Sequence, residues 1–195
     1  MNDMCHYLKM DPYFRQYNHK DITFSMMYAF SENFVLPISH DEVVHLKCSM
    51  INKMPGLNGD KFANLKAGYT FMMGHPGKKL LFMGGEFAQY SEWSEARSLD
   101  WHLLQYADHQ EMQAYVKELN HLYTEEPAFW AEDFDPNGFQ WIECDDAESS
   151  IVSFVRRSKE KELVFLCNFT PVVHRGFSLG VPQEGVYHER LNSDA

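Results

Sequence analysis

The chain has 195 residues, 45% of them apolar and 15% aromatic, which is ample material for a packed core and excludes a disordered segment. A net charge of −11 without any basic cluster disfavours nucleic acid and anionic membranes as partners. No uncharged apolar run reaches membrane-span length, and Met1–His6 has neither the basic start nor the apolar stretch of a signal peptide. Cys5, Cys48, Cys144 and Cys167 lie far apart with no C-x-x-C spacing, which points to a reducing cytoplasm and to no cysteine-based metal site.

In chain order, Asp21 opens a predicted helix as its N-cap, with Phe24, Met27, Tyr28 and Ser31 on one face. A short apolar strand, Phe34–Ile38, follows and ends in Ser39-His40-Asp41-Glu42. His40 and His45 resemble at a glance the zinc pair of H-E-x-x-H, but they are five apart. On a helix such positions diverge by roughly 140°, so no metal is expected here. After a loop at Met54–Gly59, a second helix begins at Asp60, with Phe62, Leu65, Tyr69 and Met72 at helical spacing. Gly74, Pro76 and Gly77 end it. His75 reads as a helix-end residue.

Leu80–Met83 is then a continuous apolar run that stops at Gly84-Gly85-Glu86. Such a strand is expected to be buried on both faces, as in parallel sheets covered by helices. The helix–strand alternation reads as α/β, with both strands ending in polar residues, where sites collect in parallel sheets and barrels. Asp108–Tyr123 is a further helix. Asp108 and Glu111 suggest a capping box, and Met112, Tyr115, Val116, Leu119 and Leu122 form its core stripe.

Beyond Pro127 the pattern changes. Phe139–Ile142, Ile151–Val155, Leu163–Cys167 and Val186-Tyr187 are short strand-like runs, separated by turns such as Asp145-Asp146. Their close spacing reads as antiparallel β, a sandwich or part of one. The fold class is therefore α/β plus all-β, with a boundary near Phe134–Gly138 that divides the chain into residues 1–133 and 134–195.

Four blocks, FSENFVLPISHDEVVH (Phe30–His45), KFANLKAGY (Lys61–Tyr69), HPGKKLLFMGGEF (His75–Phe87) and SLDWHLL (Ser98–Leu104), together resemble the 1,4-α-glucan (glycogen) branching enzymes of the α-amylase superfamily. The resemblance implies the last strands and helices of a (β/α)8 barrel in residues 1–133, then the start of a C-terminal β-sandwich domain in 134–195. A barrel takes roughly 250 residues, so the chain is expected to be a C-terminal fragment. The family's nucleophile and general acid/base would lie upstream and outside it. The resemblance implies that Asp41 stabilises the oxocarbenium-like transition state and that His40 contacts a hydroxyl of the same sugar. Glu42 and Glu86 are weaker substrate-binding candidates, each with a structural alternative. Trp93 and Trp101 read as packing residues before sugar-stacking ones.

The implied substrate is an α-glucan, glycogen or amylose-like. No cofactor is implied, because the chemistry needs only carboxylates. The sequence departs from the family pattern at Leu46, where glycine is usual, and Asn52–Asp60 lacks a tryptophan often found there. Asp41 is shared with debranching and amylolytic relatives. MGGEF at Met83–Phe87 and SLDWHLL favour branching. A non-catalytic α-glucan-binding module is the alternative for the chain by itself. Two barrel strands without their neighbours would expose an apolar patch, so the chain is expected to self-associate.

Overall fold

The computed structural model describes all residues 1–195. Two sheets share one core. The first is a parallel pair, β1 (Val35–Ile38) and β2 (Lys78–Leu81), in register from Val35 opposite Lys78 to Ile38 opposite Leu81. The second is an antiparallel sheet of β3 (Phe139–Glu143), β4 (Ile151–Arg157) and β5 (Glu162–Asn168), with β4 in the middle. Around them lie the helices α1 (Asn2–Lys9), α2 (Pro12–Arg15), α3 (Lys20–Thr23), α4 (Met50–Lys53), α5 (Asn58–Gly74) and α6 (Ala107–Glu125).

Helix α5 is the crossover between β1 and β2. It starts before the expected Asp60, because the Asp60 carboxylate folds back to accept the Leu57 amide at 3.2 Å and so sits in the first turn. Its expected core residues Phe62, Leu65, Tyr69 and Met72 are all buried. Helix α6 likewise buries Met112, Tyr115, Val116 and Leu119. Its expected capping box is not formed. Tyr106 occupies the cap position, which leaves Asp108 as a first-turn acid that favours the helix dipole.

Three other expectations are corrected. The helix predicted from Asp21 is broken into α3, with His19 at its cap position, and a 3-10 turn, Phe24–Met27. Phe24 and Met27 stand 56% and 81% exposed. Pieces of four residues are too short to hold a helix without a packing surface; Ile22 of α3 finds one in the core, whereas Phe24 and Met27 do not. Strand β2 begins two residues earlier than expected and is not buried on both faces. Leu36 and Ile38 of β1 point into the core, while Val35 and Leu80 stay open, because packing covers only one side of the pair. Val186-Tyr187 forms no strand, and both residues are exposed. The all-β part is thus one three-stranded sheet followed by an irregular segment.

The core runs without a break from Met4 in α1 to Phe169 after β5. Aromatic rings bind the two halves. Phe154 of β4 stacks on Phe165 of β5 at 4.8 Å and meets Phe71 of α5 edge-on at 6.0 Å. Gly74 lets this contact form: a Cβ there would lie 2.7 Å from the Phe154 ring, so the last turn of α5 can approach the sheet only as glycine.

Two buried arginines complete the assembly. Arg156 of β4 donates to Asp133 at 2.9 Å, to the Gly74 carbonyl at 2.9 Å and to the Gly138 carbonyl at 3.0 Å. Asp133 also accepts the Gly77 amide and the Lys78 ammonium, each at 3.1 Å. Arg15 donates to the Leu8, Met10 and Phe169 carbonyls and to the Asn64 side chain. Burial lowers its pKa to about 10. On the far side, Glu126 accepts from Lys161 of the β4–β5 turn and from Arg190 of the terminal segment.

Asp133→Ala leaves a buried guanidinium without its counter-charge, and should cost about 3–5 kcal/mol in denaturant unfolding. A second prediction concerns acid. Burial holds the pKa of His75 down at about 4, against the pull of the Pro76 carbonyl and with help from the Lys79 and Arg156 charges. The neutral ring donates from Nδ1 to the Pro76 carbonyl and accepts from Ser25, both at 2.8 Å. Because the folded value lies below the unfolded one, this stability is complete above pH 6.5 and is lost as pH falls towards 4. The loss is on the order of 3 kcal/mol. Burial of His19 acts in the same direction. His75→Gln should flatten this part of the stability–pH curve.

Candidate active-site edge

β1 and β2 run parallel, so their C-terminal ends lie on the same edge, and each continues into a 3-10 turn. The turn after β1 is His40–Glu42; the one after β2 is Gly85–Phe87. The ladder persists to the edge, where the Phe82 amide donates to the Ile38 carbonyl at 3.0 Å. Sharp exits from both strands keep the polar residues at the edge. Gly84 turns with φ of +87°, a value that glycine adopts freely.

His40 and Asp41 stand side by side, with His40 Nε2 3.3 Å from Asp41 Oδ1 and both side chains more than half exposed. The His40 ring is boxed by Phe82 at 5.9 Å and Trp93 at 6.5 Å between centroids, and those two rings meet edge-on at 5.2 Å. Aromatic walls fix the imidazole while its polar rim stays in solvent. Glu42 is half-buried and Glu86 half-exposed on the second turn; neither side chain makes a hydrogen bond within the chain. Thus His40 and Asp41 lie side by side, Glu42 sits on the same turn, and Glu86 belongs to the adjacent strand end.

Trp93 is a wall of this edge, and its main-chain amide donates to the Val43 carbonyl at 3.0 Å. Trp101 lies elsewhere, against Phe87 at 5.1 Å, with half of its surface exposed. No group of three or more His, Cys, Asp or Glu side chains converges as a metal cage. A paired imidazole and carboxylate on a rigid strand end can hydrogen-bond neighbouring hydroxyls of one sugar ring.

The loop behind the pair was only partly legible. His45, Leu46 and Cys48 all have positive φ, +56°, +66° and +67°. Leu46, at the position where the family pattern has glycine, therefore adopts a conformation that suits glycine. Its side chain is 95% exposed and gains nothing from packing. What sequence reasoning missed is Glu92, whose carboxylate accepts the Leu46 amide at 3.1 Å and the Cys48 amide at 2.6 Å. No local signal marks it, because the two segments meet only through the fold. The left-handed region costs a non-glycine residue about 1–2 kcal/mol, partly offset by the greater freedom of glycine in the unfolded chain. Leu46→Gly should accordingly stabilise the chain by about 0.5 kcal/mol in denaturant unfolding.

Comparison with known proteins bears on both halves. Residues 141–195 match the model of the α-amylase C-terminal all-β domain. The whole chain aligns with the 1,4-α-glucan branching enzyme GlgB of Gloeobacter violaceus at 54% identity, covering 27% of that protein's length. GlgB of Cellvibrio japonicus is also 54% identical over the whole chain, with 26% of its length covered, and GlgB of Aquifex aeolicus is 53% identical with 31% covered. The chain therefore spans less than a third of the length of these relatives. Identity above one half over the whole length of the chain is more than a shared fold requires: this chain is similar throughout to one part of the 1,4-α-glucan branching enzymes.

Proposed function

We propose that this chain carries the transition-state-stabilising edge of a branching enzyme, which moves α-1,4-glucan segments to form α-1,6 branches. In this reading β1 and β2 are the last two strands of a (β/α)8 barrel. Residues 134–195 begin the domain that follows it. The observation that carries the reading is the parallel pair with the His40–Asp41 turn at its C-terminal edge, where barrel enzymes gather their catalytic groups.

The chemistry is a retaining double displacement. A carboxylate attacks the anomeric carbon, while an acid protonates the departing 4-oxygen. The acceptor's 6-hydroxyl then displaces the carboxylate, giving up its proton to the same acid/base group. Both of those groups lie outside this chain. Asp41 accepts hydrogen bonds from hydroxyls of the reacting sugar and favours its oxocarbenium-like state, and His40 contacts the same ring. Glu42 and Glu86 have carboxylates without partners within the chain, and so are free to contact neighbouring sugar units. The substrate is an α-glucan. The wide spacing of Cys5, Cys48, Cys144 and Cys167 in the sequence is the ground for placing the protein in the cytoplasm.

The test has two arms. The isolated chain should leave amylose unchanged in iodine staining and reducing-end assays, since one carboxylate cannot perform both displacements. In a full-length branching enzyme carrying this segment, Asp41→Asn should lower turnover by roughly two to three orders of magnitude while folding is kept. A variant retaining half of normal activity would return Asp41 to the status of a loop residue.

The isolated chain should also associate with a second copy. Val35, Leu80 and Met83 stand 52%, 39% and 50% exposed around a two-stranded sheet whose outer edges carry unpaired backbone groups. Light scattering at micromolar concentration should report a dimer or larger species. A stable monomer that binds no hydrophobic dye contradicts this.

A further inference from the structure

Three non-glycine residues with left-handed backbone fall within four positions, His45, Leu46 and Cys48. Each is costly by itself, so something must hold them. The loop is gripped from both sides by opposite charges. Its amides, from Leu46 and Cys48, point to the Glu92 carboxylate. Its carbonyls, from Lys47 and Cys48, accept from the buried Lys53 ammonium. Convergent amides of left-handed residues form an anion-binding concavity, and here the anion is a side chain of the same protein.

This grip reaches the strand-end pair by two routes. Lys47, inside the loop, donates from Nζ to the main-chain carbonyl of Asp41 at 2.8 Å. Trp93, next to Glu92, donates its amide to the Val43 carbonyl and sets its ring edge-on to His40. Arg97 secures the other side of Glu92 by donating to its main-chain carbonyl at 2.7 Å.

We propose that Glu92 is a positioning residue, whose carboxylate holds the 43–48 loop in its left-handed form and so sets the pose of His40 and Asp41. The functional consequence rests on the reading of that pair as sugar-contacting. Without the carboxylate the loop relaxes to ordinary backbone angles, Lys47 loses its aim at Asp41, and the Trp93 wall moves off His40.

The test uses the 195-residue chain and nuclear magnetic resonance. Two readouts are followed: hydrogen exchange at the Leu46 and Cys48 amides, and the chemical shift of His40 Cε1–H, which senses the Phe82 and Trp93 rings. Glu92→Ala should speed exchange at both amides by roughly ten- to a hundredfold, as for lost hydrogen bonds to a charged group. It should also move the His40 signal towards its value in an unfolded peptide. Glu92→Gln keeps the size and one acceptor, guards against simple unfolding, and should show a smaller change of the same kind. Adding Leu46→Gly to Glu92→Ala should restore part of the His40 shift, because glycine needs no clamp to stay left-handed. A general structural role would not give that rescue.

If exchange quickens while His40 stays put, Glu92 merely staples the loop and the proposal fails. Unchanged exchange at both amides also overturns it. Titration of the unaltered chain with maltoheptaose separates the two readings. A His40 signal that ignores the sugar, yet moves in Glu92→Ala, removes the sugar-contact reading and leaves the positioning role standing.

Discussion

The buried pair of Asp133 and Arg156 is the constraint on which the arrangement of the chain turns. Both side chains are almost wholly out of solvent, and a buried charge without its partner is expensive. The pair is compensated only if several segments meet at one point. Arg156 needs the Gly74 and Gly138 carbonyls as well as Asp133, and Asp133 needs the Gly77 amide and Lys78. The end of α5, the start of β2 and the β3–β4 hairpin are thereby pinned together. Since Lys78 is the first residue of β2, the same point fixes where that strand begins, and the Gly85–Phe87 turn follows from it a few residues later.

Arg15 does comparable work on the opposite side of the core. Its donors reach the end of α1, the middle of α5 and the residue after β5. Between the two arginines the interior is apolar and ring-rich, with Phe165, Phe154, Phe71 and Phe169 meeting one after the next. Directional groups select the arrangement, and the rings supply most of the burial energy.

The candidate site departs from this economy of packing. The strand-end pair is exposed, and the loop behind it is held in strained backbone by Glu92 and Lys53. Strain that collects beside the proposed sugar-contacting pair, and is held by groups brought from another segment, fits a site whose geometry must be kept before substrate arrives. The open faces of β1 and β2 lie next to it. They are apolar, and nothing else in the chain covers them.

Much of this arrangement was legible from local pattern. Periodicity in α5 and α6 named their buried residues, because a stripe repeating every three to four residues can be satisfied only on one helix face. The apolar runs located β1, β2 and the three antiparallel strands to within a few residues. The motif around His40 and Asp41, with the other blocks, was enough to point to the branching enzymes that the chain resembles. The features that local pattern left open share a cause, which is contact between residues far apart in the chain. The helix expected from Asp21 to near Asn33 broke up, with Phe24 and Met27 left in solvent, and Val186-Tyr187 stayed irregular and exposed. Nothing local marks Glu92 as the acceptor for Leu46 and Cys48, or Asp133 as the counter-charge of Arg156. Those assignments exist only once the fold has brought separate segments within hydrogen-bonding distance, where removal from water makes an unpaired amide or charge too costly to leave alone.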